Sequence, residues 1–442
     1  MKRKVKRKIS IQKLFNFASF IFLLICVIWY GGRTIYYYLD SKKTTSENKL
    51  LSDQILKNNL NNKNFKKLGK NYYFYKDATN NYVTYANILW RIIKINNKNE
   101  TVLISEQPIT SLSYGESNSY TESSPIKWMN NNKSDDYTGI LENNITNTND
   151  YLAKTKTCID NITDTKDIKC KKTNNDNYFS LLDINDYINT GYNESFINNN
   201  YYIYLANKSD DEVWYINAEG ELNTDDGTEI IGIKPTITLK NSINYLKGTG
   251  TEKDPYIIEE KNQYFASYVK LDKDIYRVYN IQDNTLKLSL NDYLKVNGSN
   301  YEHIYSNNNY YHNDTKAYTL ANYLNTTYYN SLNYKNIILH NKYINYYYGM
   351  NNNYNYKDIL NNKIDTNIYT LSIADPILNN LDNYFIATGT NKNSSLIYIK
   401  EKDGTVTEKA VTTKKYIIPC ISIDKSKLTK GSGTLDDPYR ME

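Results

Sequence analysis

The sequence predicts an α+β fold dominated by antiparallel strands, arranged as two tandem units behind an N-terminal apolar helix. Three observations lead there. A nine-residue phrase occurs twice, as Gly248-Thr-Gly-Thr-Glu-Lys-Asp-Pro-Tyr256 and as Gly431-Ser-Gly-Thr-Leu-Asp-Asp-Pro-Tyr439, with six of nine positions identical. Short β-branched and aromatic runs recur between Asn-rich turns, while helical signals are confined to the middle of each unit. One stretch near the start is apolar and close to the length a bilayer-spanning helix needs.

The duplication can be followed away from the nonapeptide, because two copies of one unit keep a nearly constant offset. Tyr82-Val83 and Trp90-Arg91-Ile92 return as Tyr268-Val269 and Tyr276-Arg277-Val278, an offset of 186 residues. Trp214-Tyr215-Ile216 returns as Ile397-Tyr398-Ile399, and Lys234-Pro235-Thr236 returns as Ile418-Pro419-Cys420. In the middle, Trp128-Met129-Asn130 is matched by Tyr323-Leu324-Asn325, so insertions fall in the middle loops. The first unit is assigned to residues 66–258 and the second, more divergent one to 259–442.

Ahead of the units, residues 1–13 form a basic tail and 14–31 an apolar segment interrupted only by Asn16 and Ser19. Seven Lys and Arg precede it with no acid among them, which predicts a cytoplasmic N-terminus, a membrane anchor and exported C-terminal units. A cleaved signal peptide is the rival, but Ile28-Trp29-Tyr30 follows the core where small residues are wanted. Lipid attachment at Cys26 is disfavoured by the bulky Leu23-Leu24-Ile25 before it. Residues 32–65 read as a helical and polar stalk, with Leu50, Leu51, Ile55, Leu56 and Leu60 at helical spacing.

Within the first unit, Tyr82–Tyr85, Ile88–Ile95 and Thr101–Ser105 read as a three-stranded meander. Ser124-Pro125 opens a helical stretch, and Leu182–Ile188 reads as a short amphipathic helix. Glu212–Asn217, the turn Ala218-Glu219-Gly220 and Gly232–Leu239 read as a closing hairpin. In the nonapeptide, the glycines suit a tight turn and Asp-Pro is expected to stop strand pairing.

Charge excludes one class of function. The chain carries +6 overall and +7 within residues 1–13, leaving −1 for the rest, so the basic pI reports topology rather than nucleic-acid binding. The 47 Tyr, with abundant Asn, Lys and Ile, are first explained by AT-rich codon usage, and they do not by themselves indicate a recognition surface.

Taken in order, the WRI, WMN, Cys-pair, SLLDINDYINTG, VWYINAEGEL, GIKPTITL and GTGTEKDPYII segments resemble an uncharacterised bacterial surface-protein domain family. That family is grouped by fold with C-type lectins and the formylglycine-generating-enzyme type of domain. The resemblance covers residues 80–258 and, more loosely, the second unit, which has Tyr276, Tyr323 and Ile397 where the first has Trp90, Trp128 and Trp214. It implies compact lectin-like α+β units used for display and binding.

No catalytic set, cofactor site or metal site emerges from the residues. Cys158 and Cys170 are close in sequence on the exported side, where a local disulfide is expected; two free thiols are the alternative. Cys420, with His303, His312 and His340, is the one combination that could serve a thiol enzyme. Its counterpart Thr236 argues instead for a core or edge position. The sugar-binding tripeptides of C-type lectins are absent, and Asp210-Asp211-Glu212 and Asp225-Asp226 read as solvated turns rather than a calcium site. The expected function is a non-catalytic binding or adhesion module, with a glycan, cell-envelope polymer or protein as ligand and no nucleic acid. A Cys420 thiol enzyme and a structural spacer or assembly subunit are the alternatives.

Overall fold

The structure is a computed structural model that describes residues 49–442 apart from 116–118, 132–138, 167, 262, 309–318, 345–346, 349–362, 374, 391–392 and 394. The expected basic tail and membrane anchor lie outside these residues. Among the described residues, no helix is long and apolar enough to cross a membrane. Residues Leu50–Glu442 form one compact unit, rich in antiparallel strands with few and short helices.

The meander forms because each run is β-branched or aromatic, nearly all of it buried, and joined to the next by a short turn. Tyr82–Tyr85, Ile88–Ile95 and Thr101–Ser105 pair antiparallel in sequence order, and Ala86 and Asn87 at the first turn both take positive φ. Thr236–Leu239 adds beside Thr101–Ser105, and Phe179–Ser180 beside that. Among residues 268–424 the same order recurs: Tyr268–Leu271, Asp274–Gln282, Thr285–Leu290, Pro419–Asp424 and Tyr369–Thr370 are neighbours in that sequence. A second sheet order also recurs. It is Leu222–Asp225, Glu212–Ile216, Ile203–Ser209, Ile231–Ile233 and Thr110–Leu112 in one case. In the other it is Val406–Ala410, Leu396–Lys400, Tyr384–Thr390, Lys415–Tyr416 and Glu302–His303.

The closing hairpin differs from the expectation. Glu212–Ile216 pairs with Leu222–Asp225, and the Gly232–Leu239 run is broken in two at Lys234-Pro235. Proline offers no N–H to a ladder, so the chain leaves the small sheet there and enters the large one. The nonapeptide also departs from its reading. Asp254 O accepts from Thr249 N at 3.0 Å and Gly250 N at 2.9 Å, closing the turn. Pairing then starts after Pro255, where Tyr256–Ile258 runs parallel to Tyr82–Tyr85. Asp437 O accepts from Ser432 N and Gly433 N, both at 3.0 Å, and Tyr439 bridges Val269 in parallel.

The helical element read as part of a stalk is Leu51–Asn59, and it belongs to the compact body. Leu51 and Ile55 are buried, Leu51 N donates to Ile243 O at 2.8 Å, and Asn58 Nδ2 donates to Tyr256 Oη at 3.1 Å. Most of the apolar stripe is spent on the chain's own core, with Leu60 at its end left exposed.

Two large hydrophobic clusters fill the body, one built mainly from residues 51–266 and one from 269–439. Trp90 and Trp128 are fully buried, together with Tyr85, Tyr114, Tyr187, Tyr204, Tyr276, Tyr279, Tyr305 and Tyr384. Tyrosine therefore serves as the core aromatic of this chain. Backbone bonds join the regions of the two clusters: Ile377 N donates to Ile109 O and Tyr202 N to Asp403 O, while Ile230 itself packs in the second cluster, where its carbonyl accepts from Val406 N. Arg277 adds a link, donating from Nη2 to Asn87 O at 3.0 Å.

Candidate functional site

Two clefts stand out on this framework, one against each of the large sheets. The first, of about 760 Å³, is lined by the turn and strand residues Lys70, Tyr73, Lys94 and Lys98, by Lys154 and Lys156 of the 152–158 segment, and by the disulfide. Cys158 and Cys170 are bonded, with Cα atoms 5.7 Å apart. At its floor lies a buried polar cluster. Lys94 Nζ donates to Asp186 Oδ2 at 2.6 Å, and Tyr73 Oη donates to Asp186 Oδ1 at 2.8 Å. Burial works against the Lys94 charge, yet Asp186 outweighs it and raises the Lys94 pKa.

Asp186 is placed there by its own short helix, Ile184–Asn189, whose N-cap is Asp183. Asp183 Oδ1 accepts from Asp186 N at 2.8 Å, and Oδ2 accepts from Cys158 N at 3.0 Å. Burial, with the neighbouring Asp186 charge, pushes the Asp183 carboxyl up to about 6. The segment holding Cys158 is thus tied to the helix holding Asp186.

The second cleft, of about 860 Å³, has half-buried Tyr293 and Tyr323 among its lining residues and Tyr328, Leu294 and Leu332 buried beneath. Each half-buried ring is backed by another aromatic. Tyr293 lies 4.5 Å from Tyr416, centroid to centroid, while Tyr323 lies 5.0 Å from Tyr301 and stacks on His303 at 5.3 Å. The Tyr293 hydroxyl is anchored away from solvent, donating to Asp382 O at 2.8 Å. Burial, reinforced by Tyr301, pushes the Tyr323 phenol up to about 12, so it stays neutral. Asn291, Asp292, Lys295, Asn297, Thr327 and Ser331 supply polar groups, with Asp292 and Lys295 paired at 2.6 Å. This arrangement offers aromatic surface and hydrogen bonds and no activated nucleophile.

Compared with known families, curated proteins and solved structures, the chain matches no family model, no curated protein and no solved structure.

The other residues that the sequence singles out occupy structural places. Cys420 is fully buried in Pro419–Asp424 between Ser289 and Tyr369, the register position that Thr236 holds between Ile104 and Ser180. Burial raises its thiol pKa well above the ordinary value, the opposite of what a nucleophilic thiolate requires. His303 makes its contacts with Ile304 O, Tyr301 and Tyr323, and His340 with Asn367, while His312 lies outside the described residues. Asp225 Oδ1 accepts from Gly227 N and Asp226 Oδ1 from Thr228 N, so both carboxylates brace their turn. Asp210 exchanges hydrogen bonds with Asn161.

Sequence reasoning missed both clefts. The Lys residues of the first come from segments up to 86 positions apart, and no local spacing announces them. For the second there was a signal: the sequence pairs Trp128 with Tyr323, and Trp128 is fully buried while the Tyr323 ring is partly exposed.

Proposed function

We propose that this chain is an exported, membrane-anchored bacterial surface protein that works as a non-catalytic binding or adhesion module. Its exported part consists of two tandem C-type-lectin-like units, a reading supported by the recurring strand orders of both sheets. The ligand class is a glycan or glycan-bearing envelope polymer, held in the second cleft. The observation that carries this is the pair Tyr293 and Tyr323, each backed by a further aromatic and flanked by Asn, Asp and Thr. Aromatic faces pack against the C–H faces of sugar rings while amide and carboxylate groups take their hydroxyls. N-terminal anchoring by residues 14–31 would present that cleft outside the cell, and more than one weak site on a chain gains by multivalency.

Glycan-array and cell-wall retention assays on the detergent-purified full chain test the reading. Retention that falls about tenfold in Tyr323→Ala and Tyr293→Ala supports it, the size expected for losing one stacking contact. Absence of retention on every glycan and envelope polymer overturns it.

A further inference from the structure

The first cleft has a charge character that the rest of the exported part lacks. Five lysines line it, Lys70, Lys94, Lys98, Lys154 and Lys156, against three carboxylates, Glu100, Asp183 and Asp186. Residues 14–442 carry −1 in total, so this is a local concentration of positive charge on a nearly neutral background. The lysines come from separate segments: the turn before Asn71–Phe74, the strand Ile88–Ile95, the turn after it and the 152–158 segment. A solvated helix face would not bring them together; the fold does.

The carboxylates cancel only part of this charge toward solvent, because Glu100 alone among them is neither buried nor ion-paired. Asp186 is buried and consumed by Lys94 and Tyr73. Asp183 is buried and accepts from two backbone N–H groups. Glu100 accepts from Asn96 Nδ2 at 2.8 Å. By contrast Lys70, Lys98, Lys154 and Lys156 are exposed and form no ion pair with a described residue. Lys154 Nζ instead sits 3.3 Å from the Tyr178 ring centroid, a cation–π contact that holds the ammonium at the cleft without neutralising its charge. Asn71, Asn97, Asn175 and Asn185 add amide donors to the lining.

We infer that this cleft binds a linear polyanion bearing repeated phosphate groups. Lysine ammonium groups bind phosphate as point charges. A volume of about 760 Å³ exceeds what a single phosphate fills, and four exposed ammonium groups on three segments suit several anionic groups along one chain. This site is separate from the tyrosine cleft and does not depend on it.

The probes are short-chain inorganic polyphosphate and a glycerol-phosphate polymer, with poly-glutamate as the carboxylate counterpart, titrated against the full chain in a non-ionic detergent. The expected result is binding of at least one phosphate polymer, weakening at least about tenfold in Lys70→Glu/Lys98→Glu/Lys156→Glu and declining steeply as salt rises from about 50 to about 300 mM. Which phosphate polymer binds identifies the source of the ligand. The control Lys253→Glu/Lys427→Glu/Lys430→Glu changes three exposed lysines that do not line the cleft and is expected to bind like the parent. An unchanged melting temperature in both variants ties the loss to the cleft and excludes unfolding. No binding at low salt, equal weakening by the control, or equal affinity for poly-glutamate would overturn the assignment.

Discussion

Asn130 and Asn325 perform the same task in two different places. Asn130 Nδ2 donates to Ile126 O at 3.1 Å and to Phe179 O at 2.8 Å, while its Oδ1 accepts from Phe179 N at 3.0 Å. Asn325 Nδ2 donates to Ala321 O at 3.0 Å and to Ile368 O at 2.8 Å, while its Oδ1 accepts from Ile368 N at 2.9 Å. Each side chain thus bonds back to the carbonyl four residues earlier on a helical turn and imitates a strand neighbour for the segment leading into a sheet. An amide is the one side chain that offers a donor and an acceptor in that plane.

Replacing Asn130 by Ala should therefore cost more than an ordinary surface change. It leaves the Phe179 N–H and C=O without their partner in the interior, an expected loss of about 2–3 kcal/mol. Asn325→Ala should cost somewhat less, since Asn325 is only half-buried. Urea unfolding followed by tyrosine and tryptophan fluorescence gives both numbers. Two near-zero values would show that water replaces the amide freely.

The repeated nonapeptide predicts a matched pair of glycine effects. Gly250 has φ +85°, and a Cβ there would lie 2.4 Å from the Tyr256 ring and 2.6 Å from Asn80 O. Gly433 has φ +80°, with a Cβ 2.5 Å from the Tyr439 ring and 2.9 Å from Ser267 Cβ. Strain in the left-handed region adds to the clash, so each Gly→Ala change should cost about 3 kcal/mol or more. Thermal melting of Gly250→Ala and Gly433→Ala, taken side by side, checks both the size and the similarity of the losses.

What was legible in the sequence follows from how local each signal is. The offset that links Arg91 to Arg277 is visible because both arginines keep their tyrosine. Arg91 lies 4.0 Å from the Tyr82 ring centroid and Arg277 lies 4.9 Å from that of Tyr268. The meander and the Ser124–Met129 helix were readable from β-branched and aromatic runs between turns and from Pro125 at the helix start. Crossovers were not, because whether Lys234-Pro235 continues one strand or ends it depends on which sheet lies beyond. The stripe Leu51, Ile55 reads the same whether it faces a partner or the chain's own core. The clefts were least legible, since Lys70 and Lys156 meet only through the fold.

Thiol chemistry separates the three described cysteines. The Cys158–Cys170 link closes a loop of sequence separation 12 and ties the cleft wall to Asp183, so Cys158→Ala/Cys170→Ala should lose about 2–3 kcal/mol in denaturant unfolding. Cys420 should resist an alkylating reagent in the native chain and react once it is unfolded, as a fully buried thiol does. Mass spectrometry after a native and a denaturing pulse reads this directly. Rapid native labelling at Cys420 would restore the thiol-enzyme alternative.

Glu260 gives a pH dependence whose sign can be worked out. It follows Tyr256–Ile258 in the segment that leads to Tyr268–Leu271, and its carboxylate accepts from Ala86 N at 3.0 Å. Burial pushes its pKa from the ordinary 4.5 up to about 7, with the hydrogen bonds from Ala86 and Gln263 working the other way. Between those two values the folded chain holds a proton that the unfolded chain has released. Glu260 therefore contributes stability that is fully present below about 4.5 and is lost as pH rises through about 7. Gln keeps the acceptor for Ala86 without the charge. Glu260→Gln should match the parent near the acid end of this window and exceed it above neutrality by on the order of 1–2 kcal/mol. The checking measurement is the difference in unfolding free energy between variant and parent across the pH series, which removes the shared contributions of Asp183, Asp225 and Asp375. A difference that stays constant with pH would mean that Glu260 is solvated well enough to ionise normally.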